Sequence, residues 1–511
     1  MEEKHKLLYE TLGYTGPLET GSQRVSTEVI ADELLSPVAV NANASPLINQ
    51  AVVDLPATVL PVQDPAEIPP LGPEGIDQLE QSLNLRPKET LIRAREVFDE
   101  DISETQLRAM IAEARMALNA PDTAVASLEM DSVHLEAANP LPPGFNFEGM
   151  DLDEIPIKPG DTKFETVADA LGWAFLAGPF VLTHASRDKF RWHDSPDHAA
   201  SRFVYSLTEP TPGSPVDIAL FSDFGTGRYH SRYIAKRLRT RKFPYAIHLG
   251  DVYYAGRRSE FENYFAAPLD PILADTTLFT LNSNHEMYSA GIPYFEFMDQ
   301  RRAEHPPKQL QEGSYFCLTS EKFQIVGIDT AYFDRGRYKE PQLLDWLAGT
   351  LREGRNAGRA NILLSADQPY AYGGSGQTKL LRKDLTHLVK EEQLVDLWFW
   401  GNTHYCALFD TAATSPFVGS CIGHAGYPYD RQSVGKATPA PLLFLETRAR
   451  FPQWTNLRQD RGNNGYCVLS LKSDGSLGLQ YEDWMAERRC EATLSRTTTG
   501  KLQVSSVVPV L

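Results

Sequence analysis

Cysteine is scarce in this chain of 511 residues, and no two cysteines stand in a CxxC spacing. The five present, Cys317, Cys406, Cys421, Cys467 and Cys490, are odd in number and widely separated. A disulfide framework uses an even set of cysteines, and a structural zinc site uses closely spaced Cys or His pairs. The sequence therefore indicates neither.

Long apolar runs and the marks of an export signal are also missing. No apolar stretch approaches the roughly 20 residues that a membrane-spanning helix needs. The opening segment, MEEKHKLLYETLGY, carries acidic residues where a signal peptide has basic ones, and no apolar core follows it. We therefore expect a cytoplasmic protein with no membrane partner.

Positive charge is in deficit, because 49 Lys and Arg residues face 67 Asp and Glu residues, for a net charge of -18. Proteins that bind duplex nucleic acid need a basic footprint for the phosphate backbone, so this class is excluded. A small phosphorylated substrate needs only local positive charge or a metal ion. No pattern in the sequence indicates an oligomeric state.

The chain is too long for one ordinary core, so we expect a main domain with additions. Prolines recur between residues 36 and 75, which is typical of an extended linker. We expect an N-terminal arm and Pro-rich linker over residues 1–75 and a mainly helical region over 76–205. The main domain is expected over 206–490, followed by a C-terminal tail over 491–511.

Short apolar runs alternate with helical segments in the main domain. Examples are Val216 to Phe221, Tyr245 to Leu249 and Leu397 to Trp400, with a helix candidate at Arg228 to Arg241. This alternation indicates βαβ units and a largely parallel sheet, and therefore an α/β fold.

Polar residues follow five of these runs. The segments are Ser222-Asp223-Phe224-Gly225, Gly250-Asp251, Asn282-Ser283-Asn284-His285-Glu286, Ser365-Ala366-Asp367-Gln368 and Gly401-Asn402-Thr403-His404. A single Asp after a strand is commonly a turn former or a helix cap. Five such segments would meet at one edge of the sheet, where carboxylates and imidazole form a mixed site for Fe, Mn, Zn or Mg. Together they predict a metal centre.

This ordered set resembles the calcineurin-like metallophosphoesterases, and within them the purple acid phosphatase variant. The variant's motifs are Asp-x-Gly, Gly-Asp-x-x-Tyr, Gly-Asn-His-Asp/Glu, a later strand-end His and Gly-His-x-His. Here they read DFG (223–225), GDVYY (250–254), SNHE (283–286), SADQ (365–368) and GNTH (401–404). The resemblance covers roughly residues 215–485. It implies an α/β/β/α sandwich of two central sheets flanked by helices, here with a helical, Pro-rich N-terminal extension.

The resemblance also implies a first metal site made by Asp223, Asp251, Tyr254 and His404. Tyr254 stands in for the His that commoner phosphoesterases carry in the first motif, where this chain has Gly225. A phenolate, two carboxylates and an imidazole favour iron.

A second metal site would share Asp251 and add Asn284 and two histidines. This chain has Ala366 or Asp367 at the first histidine position, depending on alignment, and Asn402 at the other. If Asp367 coordinates, an all-oxygen site suits Mn, Mg or Fe. If Ala366 aligns instead, the site holds no tight second metal.

Catalytic roles follow from the same resemblance. His285 would act as general acid and Glu286 would orient it, while Asn284, His285 and His424 would contact the substrate. The expected function is metal-dependent hydrolysis of a phosphoester by metal-activated water. Two alternatives stay open because second-site histidines are missing: a binding or scaffold protein without hydrolysis, and a mononuclear metalloenzyme with altered chemistry.

Overall fold

A computed structural model describes residues 190–193, 202–332 except 290, 341–450 except 375 and 379, and 461–510, with scattered positions between 80 and 112. The arm and linker expected over 1–75 lie outside the described residues, as does most of the expected helical region. The positions described between 80 and 112 are helical, and Leu83 and Ile111 among them are buried.

The described strands form two mixed sheets. Eight strands make the first, in the spatial order β1 (Val204–Ser206), β5 (Phe316–Thr319), β6 (Phe323–Ile328), β7 (Ala360–Ser365), β8 (Leu397–Trp400), β10 (Val418–Ile422), β9 (Cys406–Phe409) and β11 (Leu442–Leu445). Seven make the second, in the order β15 (Leu502–Pro509), β14 (Arg488–Arg496), β13 (Leu477–Asp483), β12 (Gly465–Leu471), β2 (Val216–Phe221), β3 (Tyr245–His248) and β4 (Thr277–Thr280).

Helical segments connect these strands. They are α1 (Tyr229–Arg241), α2 (Arg258–Glu260), α3 (Ala267–Leu273), α4 (Asn284–Tyr288), α5 (Ile292–Glu304) and α6 (Pro341–Asn356), with π-helical turns at Phe261–Ala266, Leu380–Asp384 and His387–Glu391. Pro341 opens α6, where its fixed φ suits the first turn and its missing N–H is not needed. Within the described residues, no helix is both long enough and apolar enough to span a bilayer.

The two sheets stack face to face, because alternate residues of one strand lie in different cores. Ile218 and Leu220 of β2 pack between the sheets with Ile325 of β6 and Ile362 of β7. Phe221, on the other side of β2, joins a core with α1 and α3. On the outer face of the first sheet, α6 and the turns at 380–391 complete a third core. The result is four layers, α/β/β/α, and the expected fold class is confirmed.

Two segments lie in different elements from those expected. β1, which falls in the expected helical region, pairs with β5. Residues 491–511, expected as a tail, contain the end of β14 and the whole of β15 at the edge of the second sheet. The packing reason is a period-two pattern, since Cys490, Ala492 and Leu494 are buried on one face of β14.

Parallel pairing sets the position of the site. β2, β3 and β4 run parallel in the second sheet, and β6, β7 and β8 run parallel in the first. Their carboxyl ends therefore gather at one rim of the sandwich, which receives the polar segments that follow the strands.

Candidate metal centre

Three potential ligands converge at this rim. Asp223 follows β2, Asp251 follows β3 and His404 follows β8, and one ligand atom from each lies within 4.8 Å of the others. His404 Nε2 is 3.1 Å from Asp223 Oδ1. Both aspartates are fully buried. Within the described residues, this is the single group of three or more acidic, His or Cys side chains that could hold a metal ion.

Backbone conformation brings these side chains together. Asp223 has φ 60°, Asp251 φ 72°, Asn402 φ 59° and His404 φ 42°. The left-handed region is unfavourable for residues with a Cβ, and it is concentrated at functional sites. Gly250 has φ 104°, and a Cβ there would lie 2.7 Å from Cβ of Ser283, so glycine is required. These turns reverse the chain directly after each strand and direct the side chains inward.

The tyrosine in the cluster is Tyr253. Its hydroxyl oxygen is 2.7 Å from Asp223 Oδ1, 2.9 Å from Asp251 Oδ2 and 2.8 Å from His404 Nε2. Tyr254, the tyrosine expected there, is buried beside it, with ring centroids 5.8 Å apart. Instead, the main-chain carbonyl of Tyr254 serves the site by accepting a hydrogen bond from His285 Nδ1 at 2.6 Å.

The buried charge is acidic. Burial and the neighbouring carboxylates of Asp223 and Glu286 raise the pKa of Asp251 well above its usual range. Burial raises the pKa of Glu286 to about 7. Burial also opposes ionisation of Asp223. The hydrogen bond and the charge of His404 outweigh this effect of burial, so the pKa of Asp223 is lowered. Asp251 Oδ1 is buried and has no hydrogen-bond partner among the described residues. Such a set of oxygen and nitrogen donors fits a cation, which would balance the buried negative charge and give Asp251 Oδ1 a partner.

The residues expected at a second metal position lie beside the first. The Asn402 amide donates to Asp367 Oδ1 at 3.3 Å, and its backbone N–H donates to Asp223 Oδ2 at 3.0 Å. Asn284 Oδ1 accepts a hydrogen bond from the Ser283 hydroxyl. Ala366 is buried under Gly250, while Asp367 is half-exposed. Asp367 is therefore the residue of this pair that can offer a ligand, and its carboxylate contacts Asn402.

His285 and Glu286 have different roles in the geometry. The ring of His285 lies beside Tyr253, with centroids 4.4 Å apart, and the backbone carbonyl of Tyr254 orients it. Glu286, expected to orient this ring, binds backbone instead. Its carboxylate accepts hydrogen bonds from the N–H groups of Ser283, Asp251 and Val252 at 2.9 to 3.2 Å. Glu286 therefore holds the turn that carries Asp251.

His424 and Tyr427 come from the turn after β10. His424 is buried, and burial lowers its pKa to about 4, so it is neutral near pH 7. Tyr427 stacks on His404 at 4.2 Å and on Tyr253 at 4.6 Å between ring centroids. Sequence reasoning identified His404 and His424 but missed Tyr253 and Tyr427. Tyr427 directly follows the glycine-containing segment from Gly423 to Gly426, and that proximity to His424 is the sequence signal that could have indicated it.

Comparisons with known proteins returned matches among solved structures. No family model matches the chain. No curated protein matches it either.

Three of the matched structures are the following. A purple acid phosphatase from yellow lupin (Lupinus luteus) seeds has 18% identity and a TM-score of 0.44, over 58% of this chain and 56% of its own. GAP50, described as the anchor in the inner membrane complex of Plasmodium, has 14% identity and a TM-score of 0.42, over 57% of this chain and 90% of its own. PhoD has 13% identity and a TM-score of 0.40, over 60% of this chain and 74% of its own.

These similarities agree with the resemblance drawn from the motifs, but they are remote. The chain matches little more than half the length of the lupin phosphatase.

Proposed function

We propose that this chain is a metal-dependent hydrolase of phosphoesters. The observation that carries the proposal is the group of buried Asp223 and Asp251 with part-buried His404 at the shared rim of two sheets. Two buried carboxylates stand beside a single imidazole, and burying such charges is costly unless a proton or a cation compensates them.

Asp223, Asp251 and His404 would hold the ion, with a tyrosine as a further ligand. Two carboxylates, an imidazole and a phenol suit Fe first, while Asp251, Asn284, Asp367 and Asn402 would offer Mn, Mg or Fe a weaker second position. A bound ion supplies Lewis acidity toward a phosphoryl oxygen and lowers the pKa of water.

His285 handles the proton of the leaving group. A carbonyl oxygen only accepts hydrogen bonds, so the 2.6 Å contact with Tyr254 requires a proton on His285 Nδ1. The other ring nitrogen, Nε2, is then the one that can give a proton to the leaving oxygen. The ring stands next to Tyr253 and is half-exposed, so it borders the metal cluster and can meet a substrate.

Asn284 and His424 are proposed to contact the phosphoryl group. Asn284 is half-exposed at the start of α4, and His424 is a neutral donor in the turn beside the cluster. The net charge of -18 favours small phosphorylated substrates over duplex nucleic acid.

One observation favours the non-hydrolytic alternative. The Tyr253 hydroxyl contacts Asp223, Asp251 and His404, and Asp367 contacts Asn402. Many polar groups of the site are therefore hydrogen-bonded to one another. A protein that uses the site for binding or scaffolding would keep this closed arrangement. A mononuclear metalloenzyme would hold one ion at the first position.

Hydrolysis of two aryl phosphates, one with a good and one with a poor leaving group, tests the proposal. His285→Ala is expected to lower kcat by about 10²- to 10⁴-fold on phenyl phosphate. The loss should be smaller on 4-nitrophenyl phosphate, because that leaving group departs without a proton.

His387→Ala is the matched control, since His387 is exposed and pairs with Glu391 on the surface. It should keep the wild-type rate. Absence of turnover in metal-supplied wild type refutes hydrolysis, and equal losses on both substrates refute the general-acid role.

A further inference from the structure

We propose that Tyr253, and not Tyr254, is the fourth protein ligand of the metal centre. The inference rests on the metal centre of the proposed function but not on hydrolysis. It assigns a role to a residue one position before the tyrosine that the motif indicates.

Distances between ligand atoms carry the inference. Two ligands at right angles, each about 2.0–2.1 Å from an ion, are about 2.9 Å apart. The Tyr253 oxygen lies 2.7, 2.9 and 2.8 Å from the ligand atoms of Asp223, Asp251 and His404. His404 Nε2 and Asp223 Oδ1 are 3.1 Å apart. Four of the six distances among these atoms therefore match the spacing of one coordination sphere.

The single hydroxyl proton of Tyr253 does not account for both of its carboxylate contacts. A phenol has one proton, so Tyr253 can donate to only one of the two carboxylates at a time. The second short oxygen–oxygen contact then needs a second proton or a cation, and a metal ion held by these atoms would meet that need for both carboxylates.

The ring of Tyr253 is held in place by its neighbours. It stacks on Tyr427 at 4.6 Å and meets His285 at 4.4 Å, and it is fully buried. Tyr427 stacks in turn on His404 at 4.2 Å. Two of the four proposed ligands are therefore fixed by one aromatic ring, which leaves little rotamer entropy to lose on binding.

Tyr254 is engaged differently. Its main-chain carbonyl accepts a hydrogen bond from His285 Nδ1 at 2.6 Å, and its ring centroid lies 5.8 Å from that of Tyr253.

Metal affinity and visible absorption of the full chain test the assignment. Chelator-treated wild type, Tyr253→Phe and Tyr254→Phe are titrated calorimetrically with Mn²⁺. Tyr253→Phe should weaken binding at least about tenfold, and Tyr254→Phe should leave it unchanged. Loaded with ferric iron, wild type and Tyr254→Phe should show phenolate-to-iron absorption, and Tyr253→Phe should lack it.

Loss of this absorption in Tyr254→Phe, or its survival in Tyr253→Phe, overturns the assignment. If Tyr253→Phe does not fold, the assignment is tested with wild type and Tyr254→Phe alone. Ultraviolet difference spectra of these two proteins are recorded on addition of Zn²⁺. Both must gain tyrosinate absorption, and its absence from either also overturns the assignment. A chain that binds metal through Tyr253 but hydrolyses no phosphoester refutes only the proposed function.

Discussion

Four residues of the candidate centre, Asp223, Asp251, Asn402 and His404, adopt left-handed backbone. Each such conformation costs about 1–2 kcal/mol for a residue with a Cβ. The surrounding structure has to offset this cost. Asp223 and Asp251 are fully buried, so packing on all sides holds them in this conformation. These are four of the eight non-glycine residues with positive φ among the described residues, and their gathering at one rim supports a function for the cluster.

Arg301 of α5 is a charged residue in a buried, largely apolar environment. All three guanidinium nitrogens are buried without a hydrogen-bond partner among the described residues, and the group lies over the Phe297 ring at 4.8 Å. Burial lowers the pKa of Arg301 to about 9. We expect Arg301→Met to raise the free energy of unfolding by about 1–3 kcal/mol, because it removes an uncompensated buried charge.

Arg355→Met is the matched control with the opposite sign. Arg355 pairs with the buried carboxylate of Asp396 at 3.0 Å. Removing it should lower the free energy of unfolding by about 3–5 kcal/mol. Denaturant unfolding of both variants gives the comparison, and a loss of stability in Arg301→Met would show that its guanidinium is compensated.

At the scale of elements, Glu286 joins α4 to the turn after β3. It accepts the N–H of Ser283 at the start of α4 and those of Asp251 and Val252 in the turn. Glu286→Ala leaves three buried donors unsatisfied, at about 1–3 kcal/mol for each. We expect lower stability and a Mn²⁺ affinity reduced about 10- to 100-fold, with Glu286→Gln between wild type and Glu286→Ala.

Glu296→Ala serves as the control for this change. Glu296 forms an exposed pair with Arg258, so its removal should alter stability by no more than about 1 kcal/mol and leave metal affinity intact. An unchanged Mn²⁺ affinity in Glu286→Ala, measured by calorimetry, would mean that this carboxylate does not hold the Asp251 turn.

The central strands were predictable because they are buried on both faces and appear as continuous apolar runs. The runs at 216–221 and 397–400 coincide with β2 and β8. β14 and β15 were not predicted, because both expose alternate residues and so lack a continuous apolar run.

The site was predictable only as far as strand ends define it. Asp223, Asp251 and His404 meet because parallel strands end at one rim. The choice between Tyr253 and Tyr254 depends on side-chain direction in a turn with left-handed residues, and spacing in the sequence does not carry that information. Tyr427 reaches the centre from the turn after β10, which no motif spacing linked to Asp251.

For the molecule as a whole, the candidate centre lies where the two sheets meet. Asp223 and Asp251 follow strands of the second sheet, and His404 follows a strand of the first. An ion held by all three would bind the folded chain and not the unfolded one, so it would stabilise the whole domain by mass action.

Metal content per chain is the measurement that tests this account most directly. Wild type, His387→Ala and the double variant Asp223→Asn/His404→Ala are purified without chelator, checked for folding by circular dichroism and analysed by plasma mass spectrometry. We expect at least one equivalent of metal in wild type and in His387→Ala, and almost none in the folded double variant. Wild type that stays metal-free when Fe, Mn, Mg and Zn are supplied, or a double variant that retains its metal, would contradict the account.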